Sequence, residues 1–309
     1  MTDLMILNTS LDDAKFCGVD FIELNFESIY NSMDINTNSK RTYLSNGKDF
    51  LVWIKTNGLN INTFRNYKEH LRQRTDIGAK SKNYKLASAK MLLDLLHAHY
   101  RLLPDLTKGV KGFKISSEHV KDGLDIIEVK RISAHINGIT NEIKRTRLNA
   151  MFSLLTLQGL RQFEICNASI EDLKLNDRTM QIRGKGSDDK VQIDLHPDTV
   201  KALKEYLTIS HKKSGFLFTS EKGTTTGERL NERGFRKIFD CVFDALDIDR
   251  STHGFRHFFV TRMLEATNGN IGVVKQFSRH KTIQAVMFYD DRKKKKEMLP
   301  TYHTAFENI

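Results

Sequence analysis

Read in chain order, four short clusters hold the residues able to do chemistry. They are Gly159-Leu160-Arg161-Gln162-Phe163-Glu164, then Gly184-Lys185-Gly186, then His253-Gly254-Phe255-Arg256-His257, and last His280 with Tyr289 nine positions later. Together they supply guanidiniums, an ammonium, imidazoles and a phenol. Such a set can grip a phosphodiester, stabilise the negative charge that develops on it, deliver a proton and attack it with a protein hydroxyl, with no metal or cofactor. No carboxylate cluster in the sequence suits a pair of magnesium ions.

Each cluster has a bland reading beside the chemical one. Gly159 allows a turn or a close backbone approach just before Arg161, and Leu160 and Ile165 anchor the segment in a core. Arg161 is then a rigid fork for a phosphate or the partner of Glu164 in a structural ion pair. Lys185 stands between two glycines at a hairpin tip and reaches into a cleft as a proton donor; Lys190 competes for that role, and Asp188 and Asp189 are candidate partners for either lysine. Ser251 or Thr252 caps a helix that carries His253 and Arg256 three positions apart, on one face of the first turn, where the helix dipole favours an anion. His257 points elsewhere, as a core histidine or a support behind the site. Tyr289, after an apolar run, is by itself a core residue.

The elements that must position these groups are mainly helical. Apolar spacing predicts a helix through Tyr43, Phe50, Leu51, Trp53 and Ile54, a second through Phe64, Tyr67, His70 and Leu71 with Asn62 or Thr63 as N-cap, and a third from about Ser81 to Tyr100 that ends before Pro104. Met180 to Arg183 and the alternating Val191, Ile193 and Leu195 read as a β-hairpin, with Phe216 to Phe218 as a further extended piece. The fold class is therefore mainly α with a small β-hairpin or sheet, in two domains. The expected division is an acidic segment over 1–37, a helical body over 38–105, a linker over 106–124, and a larger domain with a C-terminal tail over 125–309. The acidic segment either packs through Phe16, Phe21, Ile22, Leu24 and Phe26 or is a poorly ordered leader.

The 309 residues carry a net charge of +11 and an isoelectric point of about 9.4, which points to a polyanionic partner. Bases outnumber acids on the predicted N-terminal helices, and Lys40, Arg41, Arg65, Lys68, Arg72, Lys82 and Lys85 are the candidate DNA-facing side chains. Three scattered cysteines, Cys17, Cys166 and Cys241, argue against a disulfide framework and a zinc site. No apolar run is long enough for a membrane span, so a cytoplasmic protein is expected.

The ordered set of clusters resembles the tyrosine recombinase (phage integrase) family over roughly residues 38–300. The resemblance implies a core-binding helical domain followed by a catalytic domain, and a site-specific recombinase that cuts and rejoins double-stranded DNA through a covalent 3′-phosphotyrosine. It assigns Arg161 and Arg256 to a phosphate clamp, Lys185 to protonation of the leaving 5′ oxygen, His253 to proton transfer, His280 to a phosphate hydrogen bond and Tyr289 to nucleophilic attack. It also implies a tetramer on DNA, with Leu299, Tyr302 and Phe306 of the tail docking on a neighbour or capping their own subunit. A mobile-element integrase is the leading role; a Xer-type chromosome or plasmid resolvase and a catalytically silent DNA-binding protein are the alternatives. Two departures stand out. Where the family commonly has Leu-Gly-His, this chain has Ser278-Arg279-His280, and a frequent Thr-Thr pair is Ala285-Val286.

Overall fold

The computed structural model describes residues 18–99, 101, 104–115, 123–184, 189–221, 226–287 and 289. The chain divides into two compact units, Met1–Glu118 and His119–Ile309.

The first unit is built from α1 (Val19–Asn31), α2 (Thr37–Asn57), α3 (Thr63–Gln73) and α4 (Ala79–Asp94), which runs on into a π-helical turn at Leu95–His99. Its core gathers Ile22, Phe26, Tyr30, Phe50, Ile54, Phe64, Tyr67 and Leu71 with the apolar face of α4. Thus the segment before residue 38 contributes a packed helix. Ile22, Phe26, Ile29 and Tyr30 recur at the spacing of one helical face and are buried. Leu24 lies off that stripe and is 86% exposed, and Phe16 lies outside the described residues. Gly47 explains how closely α1 and α2 approach: a Cβ there would lie 2.4 Å from Tyr30 Oη, which donates to the Ser88 carbonyl at 2.7 Å.

The start of the expected linker is also tied to this unit. Leu106 is buried in the same core, with Val110 and Phe113 against it. Asn83 Nδ2 donates to the Phe113 carbonyl and Asn83 Oδ1 accepts from the Phe113 N–H. Thr107 Oγ1 donates to Asp94 at 2.7 Å. Three apolar side chains and these polar ties give residues 106–113 a fixed path that their glycines and lysines did not suggest.

The second unit begins with α5 (Ile126–Asn137), opened by a capping box between Asp125 and Glu128, and α6 (Glu142–Thr156), capped by Asn141. After the short α7 (Gln162–Cys166) and a 3-10 turn come β1 (Leu173–Lys174), β2 (Thr179–Arg183) and β3 (Lys190–Asp194), an antiparallel sheet in the order β1-β2-β3. The hairpin closes at the pair Arg183 and Lys190; β1 is too short to show a period. Phe216 to Phe218 forms no strand of its own, only a bridge from Phe216 to Ser169, with Leu217 and Phe218 buried. Then follow α8 (Pro197–Ser210), α9 (Glu232–Ala245), α10 (His253–Ala266), α11 (Ile271–Ser278) and α12 (Ile283–Met287). Lys185 and Asp188, the bases at 292–296, and Leu299, Tyr302 and Phe306 lie outside the described residues.

Phe255 locates α10 in this unit. Its ring meets those of Phe152, Phe239 and Phe243 at centroid distances of 5.8, 5.3 and 5.7 Å, contacts that add to area burial. Because Arg256 is the next residue, the aromatic cluster also sets where its guanidinium starts. Among the described residues no helix is long and apolar enough to cross a membrane.

Gly47→Ala forces Tyr30 away from α2, and overpacking of this kind costs about 1–3 kcal/mol. Urea unfolding of the variant should show that loss in the first unit's transition; an unchanged midpoint would contradict the close approach.

Candidate active site

Gly159 brings the first cluster into place. Its φ of +56° is left-handed, and a Cβ would meet the Phe259 ring at 2.3 Å, so both backbone and space require glycine. The chain then enters α7 with Arg161 at the N-cap. Glu164, at the third position of that helix, accepts from the Arg161 N–H at 2.8 Å and from Nη1 at 2.9 Å. The ion pair expected as the bland reading is therefore present. The partners differ in exposure: Glu164 is 2% exposed and Arg161 34%, so the carboxylate is sunk beneath a guanidinium that still reaches solvent.

Arg256 comes from the first turn of α10 and is 2% exposed. Its Nη1 donates to the Gly159 carbonyl at 2.6 Å and its Nη2 to the Ser278 carbonyl. The same Nη2 lies 3.3 Å from His280 Nε2. Arg256 is thus a buried strut between the turn before α7 and the end of α11, where its helix-terminal position suggested an open anion ligand. With five N–H donors, a guanidinium bonded to two carbonyls retains donors for a phosphate. Burial, with Arg161 and Arg279 nearby, lowers its pKa to about 10, so it stays charged at neutral pH.

The end of α11 departs furthest from the sequence reading. Arg279 adopts a left-handed conformation, φ 56° and ψ 40°, and its side chain turns inward. Nη1 donates to the carbonyls of Gln158 and Phe277 at 3.3 and 2.9 Å. Nη2 donates to the Gly159 carbonyl at 3.2 Å and to Glu164 Oε2 at 3.3 Å. Spacing carries no signal for this, because the acceptors at Gln158, Gly159 and Glu164 are more than a hundred residues away in the chain.

His280 follows directly. Its Nδ1 lies 2.7 Å from Ser278 Oγ, and that hydroxyl donates to the Val274 carbonyl at 2.6 Å. The hydroxyl proton being committed, the consistent tautomer carries its proton on Nδ1 and turns the Nε2 lone pair to Arg256. Burial and then the charges of Arg256, Arg161, Arg279 and His253 lower the His280 pKa to about 4, so the ring is neutral at pH 7.

Tyr289 packs against the cluster of Phe259, Val260, Leu264, Val274 and Val286; Val286, at the departure from Thr-Thr, is fully buried there. The Tyr289 ring lies 5.6 Å from that of His280 and 4.7 Å, edge to face, from that of His257. Burial raises its pKa, and Arg256 and Arg161 partly offset the rise. His257 is therefore at the tyrosine, and a Cβ on Gly123 would meet its Nδ1 at 2.3 Å.

Other expected groups take different places. His253 opens α10 and is exposed. Thr252 is the N-cap residue, yet its hydroxyl donates to Gln162 Oε1 at 3.1 Å and makes no capping bond. Lys190, the competitor of Lys185, pairs with the buried Asp172.

In the first unit, Arg65, Lys68 and Arg72 fall on one face of α3 and line a groove with Gly109, Val110 and Lys111. Arg72 pairs with Glu69. Lys68 and Lys82 lie over the Phe113 ring, and Lys82 also donates to the Arg72 carbonyl. Arg41 is exposed, and Lys40 donates to the Asn31 carbonyl. Lys85 is a correction: it is paired with Asp49 at 2.5 Å, with Arg74 on the same carboxylate. It closes an ion triad and does not face outward.

A family model described as the phage integrase family matches residues 124–296, more than half of the chain. The chain is 27% identical over 278 residues to the tyrosine recombinase slr0733 of Synechocystis sp. (strain ATCC 27184 / PCC 6803 / Kazusa), covering 83% of this chain and 87% of that one. It is 25% identical over 234 residues to a tyrosine recombinase XerC of Leptospira interrogans, with 73% and 72% covered. Among solved structures it resembles the XerH site-specific recombinase bound to palindromic difH substrate, with a TM-score of 0.69 at 17% identity, covering 92% of this chain and 84% of that one. It also resembles the Tn1549 transposon integrase in complex with transposon right end DNA, with a TM-score of 0.65 at 16% identity and 92% and 99% covered.

The depressed His280 pKa has a testable sign. Below its usual value near ~6.5 the unfolded chain takes up the proton before the folded one does, so this contribution to stability is present above that pH and is lost as pH falls towards about 4. Between those limits the wild-type melting temperature should drop more steeply than that of His280→Gln, and the free protein's His280 resonance should titrate below pH ~5. An ordinary titration near ~6.5 would refute the shift.

The matched region takes in every one of the arginine, histidine and tyrosine clusters assembled above, and the chain belongs to the phage integrase family of tyrosine recombinases.

Proposed function

We propose that this chain is a site-specific DNA recombinase in which Tyr289 attacks a DNA phosphodiester. The phenol oxygen forms a bond to the 3′ phosphate, the bond from phosphorus to the 5′ oxygen breaks, the phenol gives up its proton and the leaving 5′ oxygen gains one. The ester energy is kept in the phosphotyrosine, so a 5′ hydroxyl can reverse the step without ATP. The observation that supports this most is the placement of Tyr289 against His280 and His257, in the same unit as the two arginines whose charges act on it.

Arg161, open to solvent on its buried carboxylate, and Arg256, with donors beyond its two carbonyl bonds, are the proposed phosphate clamp. His280, whose Nε2 meets Arg256, is the proposed phosphate hydrogen-bonding residue, and an arriving phosphate offsets the cationic neighbours that add to burial in holding its pKa down. His253 at the start of α10 and Glu164 beneath Arg161 complete the proposed set. Lys185, outside the described residues, is retained as the proton donor to the 5′ oxygen on the resemblance alone.

Double-stranded DNA is the proposed partner, by analogy with the XerH and Tn1549 complexes. The basic groove of α3 and the exposed Arg41 are the surfaces proposed to meet its backbone. Exchange between two duplexes takes four such sites, hence four copies of the chain on DNA. The relatives include Xer recombinases and a transposon integrase, and the chemistry is common to both. Sequencing the DNA trapped on purified protein separates integration from resolution.

A nicked suicide duplex carrying the target site should give a covalent protein–DNA adduct with the wild type and none with Tyr289→Phe. Equal behaviour of the two proteins would mean a DNA-binding protein without strand-cleaving activity.

Arg161→Ala should lower cleavage on the order of a hundredfold or more while DNA binding is largely kept. Arg256→Lys is the informative change at the second arginine, because alanine there also leaves the Ser278 carbonyl without its guanidinium donor. Parallel loss of binding and cleavage in both variants would contradict the clamp.

A further inference from the structure

We propose that Arg279 is a positioning residue for strand cleavage: it shares Glu164 with Arg161 and the Gly159 carbonyl with Arg256, and so leaves Arg161 only partly neutralised and holds both clamp arginines in register with His280. The proposal rests on the assignment of Tyr289, Arg161 and Arg256 made above.

Three features separate Arg279 from an ordinary structural arginine. Its backbone is left-handed, φ 56° and ψ 40°, a conformation that suits glycine and that side-chain-bearing residues rarely adopt. Its side chain is only 16% exposed, and its buried Nε has no hydrogen-bond partner. A strained backbone, a desolvated cation and an unmatched donor are a poor route to stability. The returns lie in what the fork touches: the carbonyls of Gln158 and Gly159, Glu164 Oε2, and the Phe277 carbonyl of its own turn.

The consequence is electrostatic as well as geometric. Glu164 carries one negative charge between two guanidiniums, so Arg161 is not neutralised by its own partner. Remove Arg279 and the carboxylate pairs with Arg161 alone, which weakens the field offered to a phosphate. The Gly159 carbonyl loses one of its two arginine donors, and the turn carrying His280 loses the side-chain bonds that tie it directly to the turn before α7. Because all its bonds are internal, Arg279 acts through Glu164 and the backbone and is not itself assigned to the phosphate.

The test is single-turnover cleavage of a nicked duplex by wild type, Arg279→Gly, Glu164→Gln and the double variant, with melting temperature and DNA affinity measured on each. Arg279→Gly relieves the backbone and should fold and bind DNA as the wild type does, yet cleave about tenfold to a hundredfold more slowly. In the double variant the carboxylate that neutralises Arg161 is gone, so cleavage should recover above that of Arg279→Gly alone, a coupling that independent structural losses do not produce. Wild-type cleavage by Arg279→Gly, loss of its folded state, or a double variant no faster than the single one would each overturn the proposal. Wild type and Tyr289→Phe run in parallel; no adduct from the former, or an adduct from the latter, strikes the recombinase reading itself and not the role of Arg279.

Discussion

A single buried carboxylate among three guanidiniums is the constraint on which the second unit's site depends. Glu164 holds Arg161 and Arg279 directly, and Arg256 meets Arg279 at the carbonyl of Gly159. Counting formal charges, three cations against one anion leave the cluster positive at its centre. Like charges this close are tolerated because each fork is bonded to backbone oxygens, whose dipoles take the place of water. The excess positive charge is a standing demand for an anion, and it adds to burial in lowering the pKa values of Arg256 and His280. Preorganisation of this kind reduces the rearrangement needed when charge develops on a phosphate.

The fold around the site is arranged to make that cluster possible. Phe255, packed among Phe152, Phe239 and Phe243, fixes the first turn of α10 and with it Arg256. Gly159, beneath Phe259, brings a backbone carbonyl within reach of two arginines where any side chain would collide. The buried Val274 and Val286 give Tyr289 a surface to lie on. Apolar packing thus sets the positions, and the charged groups settle onto carbonyls that the packing has already placed. The first unit repeats the pattern on a smaller scale: Asp49 holds both Arg74 and Lys85, while the aromatic core of α2 and α3 supplies the frame.

Much of the architecture was legible because it is local. Helical spacing located the cores of α2 and α3, and period-two alternation located the hairpin. Reading failed where a segment's packing face was short or its partners remote. For residues 1–37 the sequence left packing through Ile22 and Phe26 and a poorly ordered leader both open, and the fold packs Val19–Asn31 as a helix through Ile22, Phe26, Ile29 and Tyr30; the glycines of 106–113 obscured Leu106 and Phe113. Lys85 looked like one more surface base, since Asp49, its partner, lies on another helix.

The sequence by itself determined the reacting types and their order: two arginines, histidines and a late tyrosine, in a chain whose apolar spacing is mainly helical. Tertiary structure alone decided which of them touch. It turned Arg256 into a buried strut, laid His257 against the tyrosine and drew Arg279 inward to Glu164. The physical reason is range. A helix or hairpin is written in neighbours a few residues apart, whereas the charge state and direction of a buried side chain depend on carbonyls and carboxylates that only the folded chain brings close.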